Sequence, residues 1–254
     1  MDKEKIYTYD IMEVCLLAGK IMLQSGAETA RVEDTMGRIA HSLGGKESHN
    51  YVTPTAIIFS IESEQPTKTK LIRITERTTD LHKVTLVNSV SRRISNGELT
   101  LEESYHALKE IESSSNYTYS IPTQVSAAAL ASGCFLIMFK GSWYDFLPAF
   151  IAGGAGLLSV IFLHRLVPIK FFAEFAASLI IGILSYLFVF TGWGVEIDKI
   201  IIGSVMPLVP GLLLTNAVRD LMTGHLVSGI SKGAEALLTA FAIGSGIAVV
   251  LSFI

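Results

Sequence analysis

The chain has 254 residues, a formal net charge of −3 and a mean hydropathy of +0.49. Its slight acidity gives no sign of nucleic-acid binding, which needs a basic surface. The two cysteines, Cys15 and Cys134, lie far apart and no metal-ligand spacing is present in the sequence, so we expect no disulfide, metal ion or other cofactor.

Charged residues divide the chain into two parts, because they are dense up to about Tyr119 and sparse beyond it. This contrast predicts a mixed fold, with a cytoplasmic α+β domain over residues 1–116 and an all-α membrane domain over residues 117–254. The opening segment Met1–Lys5 is charged and leads into no apolar run, so we expect no signal peptide.

The first domain is predicted to begin with two helices. From Tyr9 to Leu43 the apolar residues recur at helical spacing. Ser25-Gly26 interrupts this pattern and Gly44-Gly45 ends it, because glycine weakens helices and permits turns.

Two strands are predicted next, over Tyr51–Glu62 and Lys68–Thr75, and a turn over Glu62–Thr69 that contains Pro66 joins them as a hairpin. Alternation of apolar with smaller or polar residues indicates that one face of the first strand is buried. The residues of that face are Ile57, Phe59 and Ile61.

Two further helices complete the domain. Asp80 can cap a helix over Leu81–Ser95, and Thr100 with Glu103 fits a capping box that opens a helix through Ile111. The predicted order is therefore ααββαα, and Ser113–Asn116 is the linker into the membrane domain.

The membrane domain is predicted to have five transmembrane helices, because a span needs roughly 20 mostly apolar residues. The candidate spans are Pro122–Phe139, Tyr144–Leu163, Phe171–Phe190, Ile200–Leu214 and Ala234–Ile254. Basic residues in short loops favour the cytoplasmic side. Four of them, Arg165, Lys170, Arg219 and Lys232, lie in the loops after spans two and four, against Lys140 and Lys199 in the others. We therefore expect a cytoplasmic N-terminus and an extracellular C-terminus in the plasma membrane.

The fourth span carries the strongest indication of function. Pro207 and Pro210 break it, and a proline in a membrane helix frees carbonyls that need partners in protein or in a water-filled cavity. The break leads directly into Thr215, Asn216, Arg219 and Asp220. A broken span beside such residues is typical of transporters. The alternative is an ordinary cytoplasmic helix end, in which Arg219 pairs with Asp220 or with a lipid phosphate.

Two carboxylates elsewhere in the membrane domain are further candidates. Glu174 lies about one turn into span three, where it either faces a polar interior or extends to the cytoplasmic edge. Glu235 opens span five. Either carboxylate, or Asp220, could bind a proton or an ammonium group.

Enzymatic function is not expected. Residues 229–233 match the Gly-x-Ser-x-Gly motif of serine hydrolases, but no histidine follows Ser231, and no strand is predicted before it. No catalytic cluster is readable elsewhere, so no residue is assigned a catalytic role.

Small residues recur every four positions in two spans, which lets helices approach closely. They are Ala149, Ala152, Gly153 and Gly156 in span two, and Ala236, Ala240, Gly244 and Ala248 in span five. We therefore expect a homo-oligomer, a complex with a second five-span protein, or both.

Three segments together resemble the threonine/serine exporter family: Gly26–Glu33 near the start, Pro207–Leu221, and Gly233–Ala236. The resemblance covers nearly the whole chain. It implies a cytoplasmic domain followed by five spans and export driven by the proton gradient. The family includes fused ten-span exporters, split systems of two five-span proteins, and a branch associated with succinate export.

Residues and resemblance together predict a secondary transporter, or a subunit of one, that exports small carboxylate-bearing metabolites. The expected substrate is threonine or serine, and succinate or another dicarboxylate is the alternative. We expect Arg219 to bind the substrate carboxylate or to orient Asp220, and Glu174 or Asp220 to carry the coupling proton. The cytoplasmic domain is expected to act as a gate or regulator, with Glu28, Arg31 and Glu33 contacting the membrane part, each other or solvent. A membrane-anchored sensor or scaffold is the alternative of another class.

Overall fold

Ten α-helices and three β-strands form within the part of the chain that the computed structural model describes. These are residues 2–45, 47–62, 67–114, 119–167, 169 and 171–254, with side chains from residue 11 onward. They group into two compact units. The first comprises Met1–Thr118 with Leu214–Gly233, and the second comprises Tyr119–Leu213 with Ala234–Ile254. The predicted boundary after residue 116 stays a prediction, but the first unit also contains a segment from late in the chain.

The first unit contains a small antiparallel sheet covered by helices. Its helices are α1 (Asp2–Gln24), α2 (Thr29–Ser42), α3 (Leu81–Ser95) and α4 (Leu101–Ser113). Its strands pair in the order β1-β2-β3, with β1 at Glu47–Thr53, β2 at Ala56–Glu62 and β3 at Lys68–Arg73. The Asp80 cap is present, since its side chain accepts from Lys83 N at 3.2 Å. The capping box of Thr100 and Glu103 is also present.

The sheet has three strands where two were predicted, because Tyr51–Glu62 is not one strand. Pro54 cannot donate to a strand ladder, so the chain turns there instead. Thr53 pairs with Ala56 across this turn, and Ala56 N donates to Thr53 Oγ1 at 3.1 Å. The observed order is ααβββαα. Residues 63–66 of the predicted turn Glu62–Thr69 and residues 115–116 of the predicted linker lie outside the described residues.

Alternation along β2 places one face of the sheet in the core. Ile57, Phe59 and Ile61 are fully buried, as predicted from the sequence, and they pack with residues of α1 and α2 such as Met22 and Met36. Burying large apolar side chains stabilises the unit by roughly 1.5–3 kcal/mol each. The unit therefore has a hydrophobic core of its own.

The second unit is built from long apolar helices. They are α5 (Ile121–Met138), α6 (Phe146–Leu166), α7 (Phe172–Phe190) and α8 (Ile197–Val205), together with parts of α9 (Gly211–Met222) and α10 (Leu226–Leu251). Four helices in the described chain are long and apolar enough to cross a membrane, and α8 with α9 makes a fifth if the bent pair is one span. The chain is a membrane protein, and the five-span count stays a prediction.

Small residues allow close helix packing inside this unit. A Cβ atom at Gly153 of α6 would collide with Ser132 Oγ of α5, and Ser204 of α8 donates a hydrogen bond to the Ala149 carbonyl at 3.2 Å. The small residues predicted in span two are all buried. In α10, Ala236 is buried, whereas Ala240, Gly244 and Ala248 are exposed.

Candidate functional site

The helix is interrupted where the two prolines predicted a break. Helix α8 ends at Val205, a single 3-10 turn covers Met206–Leu208, and α9 starts at Gly211, with a bend of 62° between the two helices. Pro207 lies in the 3-10 turn, and Pro210 directly precedes α9. The break follows from the two missing backbone donors, which prevent a continuous helix.

The last turn of α9 and the start of α10 lie close together. Gly224 has a φ of +87° and reverses the chain, and His225 N donates to the Asp220 carbonyl at 2.8 Å. A Cβ atom at Gly229 would lie 2.9 Å from the Ala217 carbonyl oxygen, so glycine permits this approach. The Gly-x-Ser-x-Gly match therefore lies inside a helix, and its first glycine has a packing role.

The carboxylate of Asp220 lies at the centre of a buried polar cluster in the first unit. Thr29 donates to it twice, from the backbone N at 3.1 Å to Oδ1 and from Oγ1 at 2.8 Å to Oδ2. Lys232 Nζ donates to Oδ2 at 2.7 Å and to Thr29 Oγ1 at 3.3 Å. Asp220 and Thr29 are completely buried, and the Lys232 side chain is 6 % exposed.

The turn between α1 and α2 positions Thr29 for these contacts. Gly26 adopts a φ of +88°, which favours glycine, and its carbonyl accepts a hydrogen bond from Asn216 Nδ2 at 3.0 Å. Thr29 is the first residue of α2, so its N–H has no partner within the helix and points to an anion. The Asp220 carboxylate thus binds at a helix N-terminus with a lysine beside it.

A second ion pair lies at the exposed side of this cluster. Arg219 contacts Glu28, and Arg31 lies 3.6 Å from the same carboxylate oxygen. The Arg219 side chain is 56 % exposed, whereas that of Glu28 is 16 % exposed. The prediction that Arg219 binds a substrate carboxylate stays a prediction. In this structure the Arg219 guanidinium contacts the carboxylate of Glu28.

A third contact joins α2 to the α9–α10 turn through the end of β1. Glu33 Oε1 accepts a hydrogen bond from Val52 N at 2.9 Å and lies 3.8 Å from His225 Nδ1. Ser228 of α10 donates to the Val52 carbonyl at 3.1 Å. Burial raises the pKa of the Glu33 carboxyl above its usual range, and the negative charge of Asp220 acts in the same direction. The Val52 N–H and His225 oppose the rise.

A separate polar pair lies in the second unit. Glu174, in the first turn of α7, lies 3.2 Å from His164 Nε2 through its Oε1 atom. Its Oε2 atom is buried and has no hydrogen-bond partner among the described residues. The His164 side chain is 48 % exposed and that of Glu174 is 18 % exposed.

The structure thus brings together only some of the predicted site residues. Asn216, Arg219 and Asp220 all bind the first turn of α2 or the residues just before it. Thr215 is exposed on α9, and Lys170, predicted in the loop before α7, lies outside the described residues. Glu235 is half-buried in α10 and belongs, with Glu174 and the two prolines, to the other unit.

Sequence reasoning missed Thr29, Lys232 and His225 as members of the site. Lys232 was assigned only to the cytoplasmic loop charge, although a lysine beside a long apolar run was a signal for a buried partner. Thr29 lies 191 positions from Asp220, so no local pattern could have paired them.

Comparisons with known proteins agree with this architecture. Residues 13–254 match the family described as "Putative threonine/serine exporter". The chain is 26% identical over 247 residues to "Probable succinate transporter subunit YjjP" of Escherichia coli, covering 95% of this chain and 94% of that protein. It is also 25% identical over 245 residues to "Threonine/serine exporter" of Corynebacterium glutamicum, covering 93% of this chain but 50% of that longer protein.

A third relative also aligns with nearly the whole of this chain and with about half of its own length. "Probable threonine/serine exporter" of Mycobacterium tuberculosis is 22% identical over 254 residues, which are 98% of this chain and 47% of that protein. No solved structure matches the chain. Because the family match covers nearly the whole sequence, the chain belongs to the threonine/serine exporter family.

Proposed function

We propose that this protein is a secondary transporter, or a subunit of one, that exports small carboxylate-bearing metabolites from the cytoplasm, with threonine and serine as its first candidates. The observation that carries the proposal is the broken membrane helix that leads into the buried Asp220 and Lys232 pair. Taking two charges out of water is costly, so this pair is weak evidence for stability alone.

Protons are the proposed coupling ions. The Glu174 carboxylate has one oxygen without a partner among the described residues, and His164 connects it to solvent. Asp220, in contrast, accepts hydrogen bonds from Lys232 and Thr29. These surroundings favour Glu174 over Asp220 as the carrier of the coupling proton.

Succinate or another dicarboxylate is the second candidate substrate. Relatives named as succinate transporter subunits align over nearly their whole length, whereas the relatives named as threonine/serine exporters are about twice as long. The word "subunit" in those names supports an assembly. We propose that the chain works as a homo-oligomer, with a second five-span protein, or both.

The first unit is proposed to act as a cytoplasmic gate. Thr29 and Glu28 bind Asp220 and Arg219, which follow the break in the fourth span. Movement of α2 would therefore alter the end of α9 directly. This role places the N-terminus in the cytoplasm and, with five spans, the C-terminus outside.

Flux measurements in proteoliposomes test the proposal. The purified chain, alone and with a candidate five-span partner, should export radiolabelled threonine, serine or succinate when a proton gradient is imposed. Arg219→Ala, Asp220→Asn and Glu174→Gln variants at equal protein levels provide the site test. If no combination transports any of these compounds, a sensor or scaffold role replaces transport. If all three variants export at the wild-type rate, the site lies elsewhere.

A further inference from the structure

The two edges of the sheet in the first unit differ, because side chains cover only one of them. At the β1 edge, Val52 N donates to Glu33 Oε1 at 2.9 Å, and the Val52 carbonyl accepts from Ser228 Oγ at 3.1 Å. Asn50 of the same strand donates through its side chain to the Glu33 carbonyl at 3.0 Å. The strand at the other edge is β3. An edge that stays open is a site at which another strand can bind.

The register of the sheet shows which backbone groups of β3 are open. Both backbone groups of a residue in an antiparallel sheet point to the same side, and successive residues alternate. Val52 bonds outside the sheet, so the residue opposite it, Ile57, points towards β3 and its partner Ile72. The residues that alternate with Ile72 therefore point away from β2. They are Thr69, Leu71 and Arg73, and all three are exposed.

A groove of about 160 Å³ lies beside this open edge, on the side of the sheet that the helices cover. Each of the three elements around it contributes one partly exposed lysine: Lys20 of α1, Lys70 of β3 and Lys109 of α4. Glu13 lies 3.5 Å from Lys70, and Glu112 lies 2.8 Å from Lys20 and 2.7 Å from Lys109. Two carboxylates among three lysines leave one positive charge in excess.

The opposite face of the sheet is apolar next to the same edge. Tyr51, Ile58 and Leu71 lie side by side across the three strands. Tyr51 is 51% exposed and Leu71 is 60% exposed, and Ile58 lies half-buried between them. A strand added to β3 continues this row with every second side chain, while the other side chains point to the groove.

We propose that the open edge of β3 binds an extended segment of another protein in which acidic and apolar residues alternate. The segment forms a fourth strand through backbone hydrogen bonds to Thr69, Leu71 and Arg73. Its acidic side chains face the lysines of the groove, and its apolar side chains cover Leu71. Strand addition of this kind takes its affinity from the backbone bonds and its specificity from the side-chain pockets.

Charge argues against a second copy of this chain at the same edge. β3 contains Lys68, Lys70 and Arg73 and no acidic residue. Antiparallel pairing of two β3 edges would bring these cations close to one another, and like charges in neighbouring strands are destabilising. An acidic segment places opposite charges at the same positions.

Peptide binding to the full-length protein in detergent tests the proposal. The probe is a fluorescein-labelled nonapeptide of alternating glutamate and valine, and fluorescence anisotropy should show saturable binding. A peptide with lysine in place of glutamate should bind at least roughly tenfold more weakly. A third peptide has the same composition as the probe, with its glutamates grouped at one end. It should show a similar loss, because it cannot direct acidic and apolar side chains to opposite faces.

A matched pair of variants at Leu71 identifies the edge. Leu71→Pro removes an N–H that points away from β2, so it blocks the added strand and leaves the hydrogen bonds of the sheet in place. It should weaken binding of the glutamate peptide roughly tenfold or more. Leu71→Thr keeps this N–H and should bind within about threefold of wild type.

The groove has its own variant and control. Lys70→Gln should weaken binding of the glutamate peptide and reduce its dependence on salt, because one charge that attracts the peptide is lost. Arg38→Gln removes an exposed charge from α2, away from the groove, and should bind the peptide like wild type.

Equal affinity for the glutamate and lysine peptides, or equal affinity of wild type and a folded Leu71→Pro variant, would overturn the proposal. An oligomer that dissociates in Leu71→Pro, without peptide binding to wild type, would assign the edge to a second copy instead. The peptide series on the wild-type protein decides the question even if Leu71→Pro fails to fold. No flux enters these measurements, so their outcome is independent of the proposed export function.

Discussion

Lys232 Nζ lies 2.7 Å from Asp220 Oδ2 in a site where both side chains are almost completely buried. Taking two charges out of water is costly, so a buried ion pair is weak evidence for net stability. The pair also bonds to Thr29, which comes from the start of the chain. It therefore joins the last turns of α9 to the first turn of α2.

Removing one member of this pair should destabilise the first unit strongly. Lys232→Met leaves the Asp220 carboxylate buried with only Thr29 as a donor, which should cost roughly 3–5 kcal/mol. The double variant Lys232→Met with Asp220→Asn should be less destabilised, because no uncompensated charge remains. Thermal or urea unfolding in detergent measures both. The exposed pair of Arg38 and Asp34 is the control, and Arg38→Met should cost at most about 1 kcal/mol.

Local patterns predicted the elements of the fold well. Helix α3 has its predicted bounds at Leu81–Ser95, and the alternation of Ile57, Phe59 and Ile61 gave the buried face of β2. Hydropathy and the two prolines predicted an apolar segment with a break, and the bend between α8 and α9 lies at that position. These features follow from spacing within a few residues, so a single sequence contains them.

Long-range pairing could not be predicted in the same way. The contact of Asp220 with Thr29 joins positions 191 apart, and Arg219 meets Glu28 over the same separation. Nothing in the local sequence distinguishes these partners from other polar residues. The turn at Pro54 was readable from the proline but was missed, because the flanking residues have high strand propensity.

The pH dependence of stability should report on Glu33. Burial raises the pKa of this carboxyl above its ordinary value of 4.5, so the folded protein holds the proton more tightly than the unfolded chain. The associated stability is complete below pH 4.5 and is lost as pH rises through the higher pKa of the folded state. Glu33→Gln stays neutral and can still accept from Val52 N. As the pH rises above 4.5, the unfolding free energy of the wild-type protein should therefore fall relative to that of the variant.

The control for this experiment is Glu102→Gln, which alters a carboxylate that is 89 % exposed. Its unfolding free energy should follow the wild-type pH curve. Parallel curves for Glu33→Gln and wild type between acidic and neutral pH would show that Glu33 does not titrate as inferred.

Close packing in the second unit gives a matched pair of glycine variants. Gly153→Ala should destabilise this unit by roughly 1–3 kcal/mol, because the added methyl group meets Ser132 of the neighbouring helix. Adding Ser132→Gly removes the obstructing side chain and should recover part of the loss. Gly244→Ala should cause no such loss in the monomer, since nothing described lies within 4 Å of that position and alanine is the better helix former.

Gly244 also tests the proposed assembly. It lies on the exposed small-residue face of α10 with Ala240 and Ala248. If this face packs against another copy or a partner protein, Gly244→Ala should reduce the associated fraction in crosslinking or light scattering while leaving the monomer folded. An unchanged association equilibrium would place the interface on another face.

Proton coupling should depend on Glu174. Its Oε2 atom is buried and has no partner among the described residues, and its Oε1 atom lies 3.2 Å from His164 Nε2, so the carboxylate has one oxygen free to take a proton. We expect Glu174→Gln to lose export driven by an imposed proton gradient and to lose the pH dependence of flux, while downhill exchange of substrate continues.

His164→Gln should slow proton access and keep coupling, because the carboxylate remains. Asp198→Asn removes an exposed carboxylate from α8 and should behave like wild type. Radiolabelled export from proteoliposomes over a pH series measures all three variants, and gradient-driven accumulation by Glu174→Gln at the wild-type level would assign the coupling proton to another residue.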